Sequence, residues 1–314
     1  MTIKELKEKF HTDYNDSSLF AGKARLLQSI WRKENNIPYL PAKFGNYINS
    51  EYAYKNESNF LTPKIREFIK NEIDTNEKRI DKNKKVIKKD RLYENLLASQ
   101  PLAFNLFVEL ITPDYSLATK VFQRIFGNRI HNIISIEFEI SPGRSKKKYT
   151  YDRSAFDVFI QYNGDKGKGF IGIEVKYAET LKDKPASFKE RYKEVAEDSG
   201  KFTKEGIEVL RKMPKSVEQV WRDHLLSLSM IPPVNNDYDE GFFVYLFPKE
   251  NDECIKALNK YFVSLKSQNP LENGLYILNM ETLLEAIKHE TNDKWIFDFE
   301  DRYLRFEKID NAMK

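Results

Sequence analysis

Ser154-Ala-Phe-Asp157-Val-Phe-Ile-Gln-Tyr162 and Gly169-Phe-Ile-Gly-Ile-Glu174-Val-Lys176-Tyr177 flank the polar run Asn163-Gly-Asp-Lys-Gly-Lys168. Both flanks are rich in β-branched and aromatic residues, and the run between them is turn chemistry, so the segment is predicted to be a β-hairpin. Paired symmetrically, with Tyr162 opposite Gly169, the two strands set Asp157 directly across from Glu174. Side chains alternate faces with a period of two. One face is then expected to carry Phe156, Val158, Ile160, Ile171, Ile173 and Val175, and the other Asp157, Glu174 and Lys176. A slip of one residue would exchange the two faces.

Two carboxylates placed side by side work against stability, because like charges across a strand pair repel and each raises the other's pKa. A divalent cation between them reverses the penalty. Mg²⁺ prefers hard oxygen ligands from one or two carboxylates, with water and phosphate completing the shell. The competing account is a solvated strand face whose charges do no chemistry. The uniformly apolar back face and a register that needs no bulge favour the metal site.

With 314 residues the chain is long enough for one large domain or two ordinary ones. Its 40% hydrophobic and 13% aromatic residues allow a substantial core, while 32% charged residues imply a very wet surface. The net charge of +4 says little about partners. A single cysteine, Cys254, excludes a disulfide framework and a Cys-based zinc site, and four scattered histidines do not suggest a His-rich one. The charged start Met1-Thr-Ile-Lys-Glu-Leu-Lys-Glu-Lys lacks an apolar signal core, and no stretch has the length and apolarity of a membrane span. A reducing cytoplasm is the expected compartment.

Residues 1 to about 90 read as mainly helical, with helices over Ala21–Arg32 and Phe60–Lys70, the latter capped by Thr62 ahead of Pro63. A strongly basic segment, Lys78–Arg91, follows. Tyr93–Leu110 is expected to be one helix despite Pro101, and Ser116–Phe126 another that ends at Gly127. Strands are expected at Ile133–Ile140, in the hairpin, at Gly241–Phe247 and at Gly274–Leu278, with helices over Ser187–Ser199, Val217–Leu228, Glu253–Leu265, Met280–Ile287 and Phe297–Phe306. Gly241–Phe247 is almost wholly apolar, as a buried central strand is. The order describes an α/β protein, a mixed central sheet flanked by helices, with a helical N-terminal region. The expected division is 1–90 for that region, packing on or next to the core, and 91–314 for the core itself.

Asp157 on the second core strand and Glu174-Val-Lys176 on the third resemble the PD-(D/E)XK nuclease superfamily. Longer phrases resemble, more narrowly, a bacterial family of uncharacterised restriction-endonuclease-like proteins: Leu96-Leu-Ala-Ser-Gln-Pro-Leu-Ala-Phe-Asn-Leu-Phe107, Ser141-Pro-Gly-Arg144, Asp152-Arg-Ser-Ala-Phe-Asp-Val-Phe159 and Gln219-Val-Trp-Arg-Asp-His-Leu-Leu226. Phe156 stands where the motif's name has proline. The resemblance implies a restriction-endonuclease-like core and Mg²⁺, with Mn²⁺ as a substitute, in one or two copies. Asp157 and Glu174 would bind the ion with the main-chain carbonyl of Val175, and Lys176 would contact the scissile phosphate or orient the attacking water. Glu94 is the candidate for an additional helical carboxylate, and Gln219 for the polar partner found in exonuclease-like branches. A half-exposed helix face is the ordinary account of Gln219, Arg222 and His224. Ser99 and Gln100 either approach the site or satisfy backbone at the Pro101 break.

The implied activity is hydrolysis of nucleic-acid phosphodiesters, DNA ahead of RNA, endo or exo left open, in bacterial defence or DNA processing. A non-catalytic nucleic-acid-binding or assembly protein of the same fold is the alternative, and a dimer is compatible with either. Candidate phosphate-contacting residues are Arg144, Lys146, Lys147 and Lys148, with Lys84, Lys85, Lys88 and Lys89 in the basic segment. Charge runs are also ordinary solvated faces. No phosphate-binding loop, acyl-transfer serine elbow, helix-turn-helix or zinc finger is present.

Overall fold

In the computed structural model, residues 2–79, 84–178 and 187–314 are described. Part of the basic segment, 80–83, and residues 179–186 lie outside the described residues. The chain opens with α1 (Ile3–Lys9), α2 (Leu19–Glu34), α3 (Ser50–Asn56) and α4 (Pro63–Glu77). Thr62 caps α4 as expected: its hydroxyl accepts the Ile65 amide at 3.2 Å while Pro63 fills the first turn. The single helix expected over Tyr93–Leu110 is two, α5 (Lys89–Glu94) and α6 (Ser99–Phe107). The break lies at Asn95–Ala98, ahead of Pro101, where Asn95 bridges to Tyr47 and its side chain accepts the Leu97 amide. Pro101 itself sits in the first turn of α6, where a missing N–H costs nothing.

After α7 (Ser116–Phe126) come β1 (Ile130–Ile140), β2 (Phe156–Gly164) and β3 (Gly167–Val175), each antiparallel to the last. The hairpin register is the expected one, with Tyr162 opposite Gly169, but the connection is tighter: β2 runs to Gly164 and β3 starts at Gly167. Next are α8 (Glu190–Ser199), α9 (Lys204–Leu210), α10 (Lys215–Leu228), β4 (Glu240–Phe247), α11 (Asp252–Phe262), α12 (Pro270–Asn273), β5 (Leu275–Asn279), α13 (Met280–Glu290), α14 (Lys294–Tyr303) and α15 (Glu307–Met313). The sheet order is β1-β2-β3-β4-β5, with β4 and β5 parallel to β3. It is a mixed sheet flanked by helices.

Both faces of the sheet are covered. Val158, Ile160, Ile171, Ile173, Val175, Phe242 and Val244 share a core with α2, α4, α6, α7, α13 and α14. Phe159, Phe170, Phe243, Tyr245 and Phe247 share a second with α8 to α11. Two successive crossovers of the preferred right-handed sense send their helices to one side of a sheet, which leaves the other side to the N-terminal helices. Phe156 departs from the expected face and packs with Phe159 and Phe170. The cause is a local break in the pleat. Glu139 in β1 is left-handed, with φ of 54°, and Ile140 and its pair Phe156 both turn to the second core. None of the described helices is long and apolar enough to cross a membrane.

Candidate active site

The pleat breaks where β2 and β3 diverge, and there the acidic residues meet. Ladder pairing of β2 with β3 ends at Val158–Ile173. One residue further, the Asp157 carboxylate takes the place of a backbone acceptor, receiving the Val175 amide at 2.8 Å. Glu174 is 1% exposed. Lys176 Nζ lies 2.7 Å from Glu174 Oε1 and donates to Gln219 Oε1 at 2.6 Å, while the Gln219 amide donates back to Glu174 Oε1. Asp157, Glu174, Val175, Lys176 and Gln219 are therefore brought together, three from adjacent strands, Lys176 directly after β3, and Gln219 from the first turns of α10.

Two further carboxylates face this group. Glu139, aimed inward by its left-handed backbone, accepts the Gln100 side-chain amide at 2.6 Å, and that amide also donates to the Val86 carbonyl at 3.1 Å. Asp223 is 2% exposed, and its Oδ2 is buried with no hydrogen-bond partner among the described residues. Burial pushes Asp157 well above the ordinary carboxylate range, reinforced by the negative charges of Glu174 and Glu139. Asp223 is raised in the same way, by burial and then by Glu174. Burial, helped by Glu174, lifts Glu139 to about 7 against the hydrogen bond from Gln100. An acidic cluster this costly is one that a cation relieves.

Sequence reasoning passed over both acids. Asp223 had a signal: it lies one helical turn after Gln219, four residues on, and so shares its face. Glu139 had none, since the left-handed kink that aims it is invisible in the alternation of β1.

These residues form the floor of a cleft of about 600 Å³. Its wall adds Val86, Lys88, Arg91, Arg144, Arg153 and Lys215 to the residues already described. Ser99 and Gln100, at the start of α6, line it too. Glu94 does not. It is turned toward Lys43, 3.8 Å away, because it closes α5 on the far side of the Asn95 break. His224 is not half-exposed but wholly buried between the Tyr261 hydroxyl at 2.7 Å and the Asn273 carbonyl at 2.8 Å, and burial lowers its pKa to about 4.

Arg222 is bound to Asp152 at 2.9 Å and Glu218 at 3.2 Å. Of the basic candidates, Arg144 and Lys88 reach the cleft. Lys85, Lys89 and Lys148 are instead paired with Glu72, Glu77 and Asp237, and Lys84, Lys146 and Lys147 are exposed outside it. A basic run supplies its own acids when it folds back on a helix such as α4.

Among the described residues no group of three or more His, Cys, Asp or Glu side chains is gathered closely enough to hold a metal by itself. Carboxylates such as those of Asp157 and Glu174 suit a hard cation that keeps water or phosphate in its remaining positions. The buried Asp223 oxygen, unpartnered among the described residues, and the mutually raised carboxylates fit positive charge at this floor.

A family model described as the PD-(D/E)XK nuclease superfamily matches residues 14–305, nearly the whole chain. No curated protein and no solved structure gives a significant match.

Proposed function

The chain belongs to the PD-(D/E)XK nuclease superfamily, and on that premise we propose that it is a Mg²⁺-dependent phosphodiesterase acting on nucleic acid, DNA first. The observation that carries this is the convergence of Asp157, Glu174 and Lys176 on the floor of a cleft whose wall carries Lys88, Arg144, Arg153 and Lys215. Asp157 and Glu174 would hold the ion with Val175. When bound, it supplies Lewis-acid stabilisation of the phosphoryl oxygens and a bound water of lowered pKa. Lys176 contributes a point charge for a phosphate oxygen. Gln219 holds both Lys176 and Glu174, so it fixes their spacing. Glu139, steadied by Gln100, is the extra carboxylate that the fold offers in place of Glu94. A role in bacterial defence or DNA processing follows by family analogy.

One observation favours a second reading. The Lys176 ammonium already neutralises Glu174 at 2.7 Å, as it would in a non-catalytic nucleic-acid-binding protein that retained the fold. Incubating purified protein with plasmid, linear DNA and RNA, in Mg²⁺ or in chelator, separates the two. Metal-dependent cleavage is expected. Asp157→Asn should abolish it, and Lys176→Ala should reduce it roughly 100- to 1,000-fold, the cost of one preorganised electrostatic group. Both variants should stay folded by circular dichroism, with Lys176→Ala melting lower because it leaves Glu174 buried without its ion pair. Undiminished cleavage by Asp157→Asn removes this site from the mechanism. Absence of cleavage, with no Mn²⁺ binding by calorimetry, favours the second reading.

A further inference from the structure

The wall of the cleft carries charge that the fold itself does not use. Lys88, at the start of α5, Arg153, in the connection from β1 to β2, and Lys215, at the start of α10, all line it. All three are exposed, and among the described residues none has an ion pair or a side-chain hydrogen bond. Arg144 stands with them, its side chain donating to the Lys84 carbonyl at 2.5 Å while its Nε is buried without a partner among the described residues. The basic residues most visible in the sequence behave differently. Lys85, Lys89 and Lys148 are spent on Glu72, Glu77 and Asp237. Three segments far apart in sequence thus bring uncompensated cations to the rim of an acidic floor.

The remaining lining decides what those cations are for. Among the described residues no aromatic ring lines the cleft, and its only apolar side chains are Val86 and Ala155. Pockets for small organic ligands are predominantly apolar and aromatic, and single-strand binders that grip bases present stacking rings. A cleft with neither, but with unpaired Lys and Arg, suits the phosphates of a nucleic-acid backbone, contacts that give affinity without sequence information.

We propose that Lys88, Arg153 and Lys215 are the phosphate-gripping residues of this protein, so that the substrate is bound through its backbone and independently of sequence. This rests on the phosphodiesterase reading for the identity of the ligand. It also gives the N-terminal region a function: through Val86 and Lys88 it forms one wall of the substrate cleft. That wall is fastened to the core by Arg144 on the Lys84 carbonyl and Gln100 on the Val86 carbonyl.

The test is fluorescence anisotropy of the full chain with labelled DNA duplexes of two unrelated sequences, in EDTA so that no cleavage intervenes, across a range of NaCl. The triple variant Lys88→Ala/Arg153→Ala/Lys215→Ala is compared with Lys84→Ala/Lys146→Ala/Lys147→Ala, which removes equal charge outside the cleft. The cleft triple should flatten the slope of log Kd against log salt by about 2 to 3, close to 0.9 per lost phosphate contact, equally for both sequences. The comparator should change it by less than about 1. Arg153→Ala alone, expected to flatten it by about 1, guards against misfolding of the triple. Unchanged slope in the cleft variants, a larger loss in the comparator, or no binding by the wild type overturns the proposal. Salt-dependent binding through the cleft without cleavage in Mg²⁺ or Mn²⁺ would leave these contacts standing and sink the phosphodiesterase reading alone.

Discussion

Glu139 shows how one backbone angle creates chemistry. A left-handed, non-glycine residue in a strand costs about 1 kcal/mol or more and persists only where the surroundings enforce it. Here Gln100 and the two strands hold its carboxyl among other acids, and burial lifts its pKa from an ordinary carboxyl value to about 7. The sign of the consequence is fixed. Between its ordinary pKa and about 7 the folded protein binds more protons at Glu139 than the unfolded chain does. Its contribution to stability is therefore present below the ordinary carboxyl pKa and is lost as pH rises through 7. Asp157 and Asp223, also raised, act in the same direction. In chelator, urea unfolding should show stability falling from pH 5 to pH 8, and Glu139→Gln should remove up to roughly 3 kcal/mol of that fall. A variant with the parental pH slope would show that Glu139 is not held as described.

At the scale of elements, the site depends on how β2 enters the sheet and where α10 lies over it. Asp152 does the fastening. It accepts from the Ser154 amide and hydroxyl, the Tyr192 hydroxyl on α8 and Arg222 on α10, all at 2.9 Å. Burial alone would raise its pKa, but Arg222 and these hydrogen bonds outweigh that and hold it below the ordinary value. The opposite side of the entry is set by close packing. A Cβ on Gly172 would come within 2.5 Å of the Phe156 ring, which is fully buried and stacked on Phe159. Gly172→Ala should therefore destabilise by about 1–3 kcal/mol, the usual cost of overpacking. It should also lower activity, because Phe156 carries Asp157 as its neighbour. A melting temperature equal to the parent's would mean that the ring has room to move.

Across the whole molecule, the N-terminal helices are inseparable from the sheet. Phe20, Trp31, Phe60 and Ile65 belong to the same core as Val158 and Ile173. Arg302 on α14 is fully buried with neutral partners: Gln28 Oε1 at 3.2 Å, the Asn59 carbonyl at 2.8 Å, Asn59 Oδ1, and the Trp31 ring at 4.4 Å. Removing those partners would strand a buried guanidinium and expose the core face of the sheet. A chain beginning at residue 91 should accordingly be insoluble or melt without a cooperative transition. A soluble fragment with a sharp calorimetric transition would show instead that residues 91–314 fold alone.

The hairpin and its register as far as Val158–Ile173 were legible in the chain itself, because period-two patterning and a Gly-rich turn are local signals. So were the buried strand at Gly241–Phe247 and the cap at Thr62. What the tertiary structure alone decided was the company Asp157 and Glu174 keep. Glu139 arrives through a backbone kink, Asp223 through the docking of α10, and Glu94 is withdrawn by a helix break. Which lysines stay unpaired was equally out of reach, since each depends on acids brought near by folding. Pattern along a strand fixes which way a side chain points, whereas charge and ligand sets are sums over neighbours that only three-dimensional packing assembles.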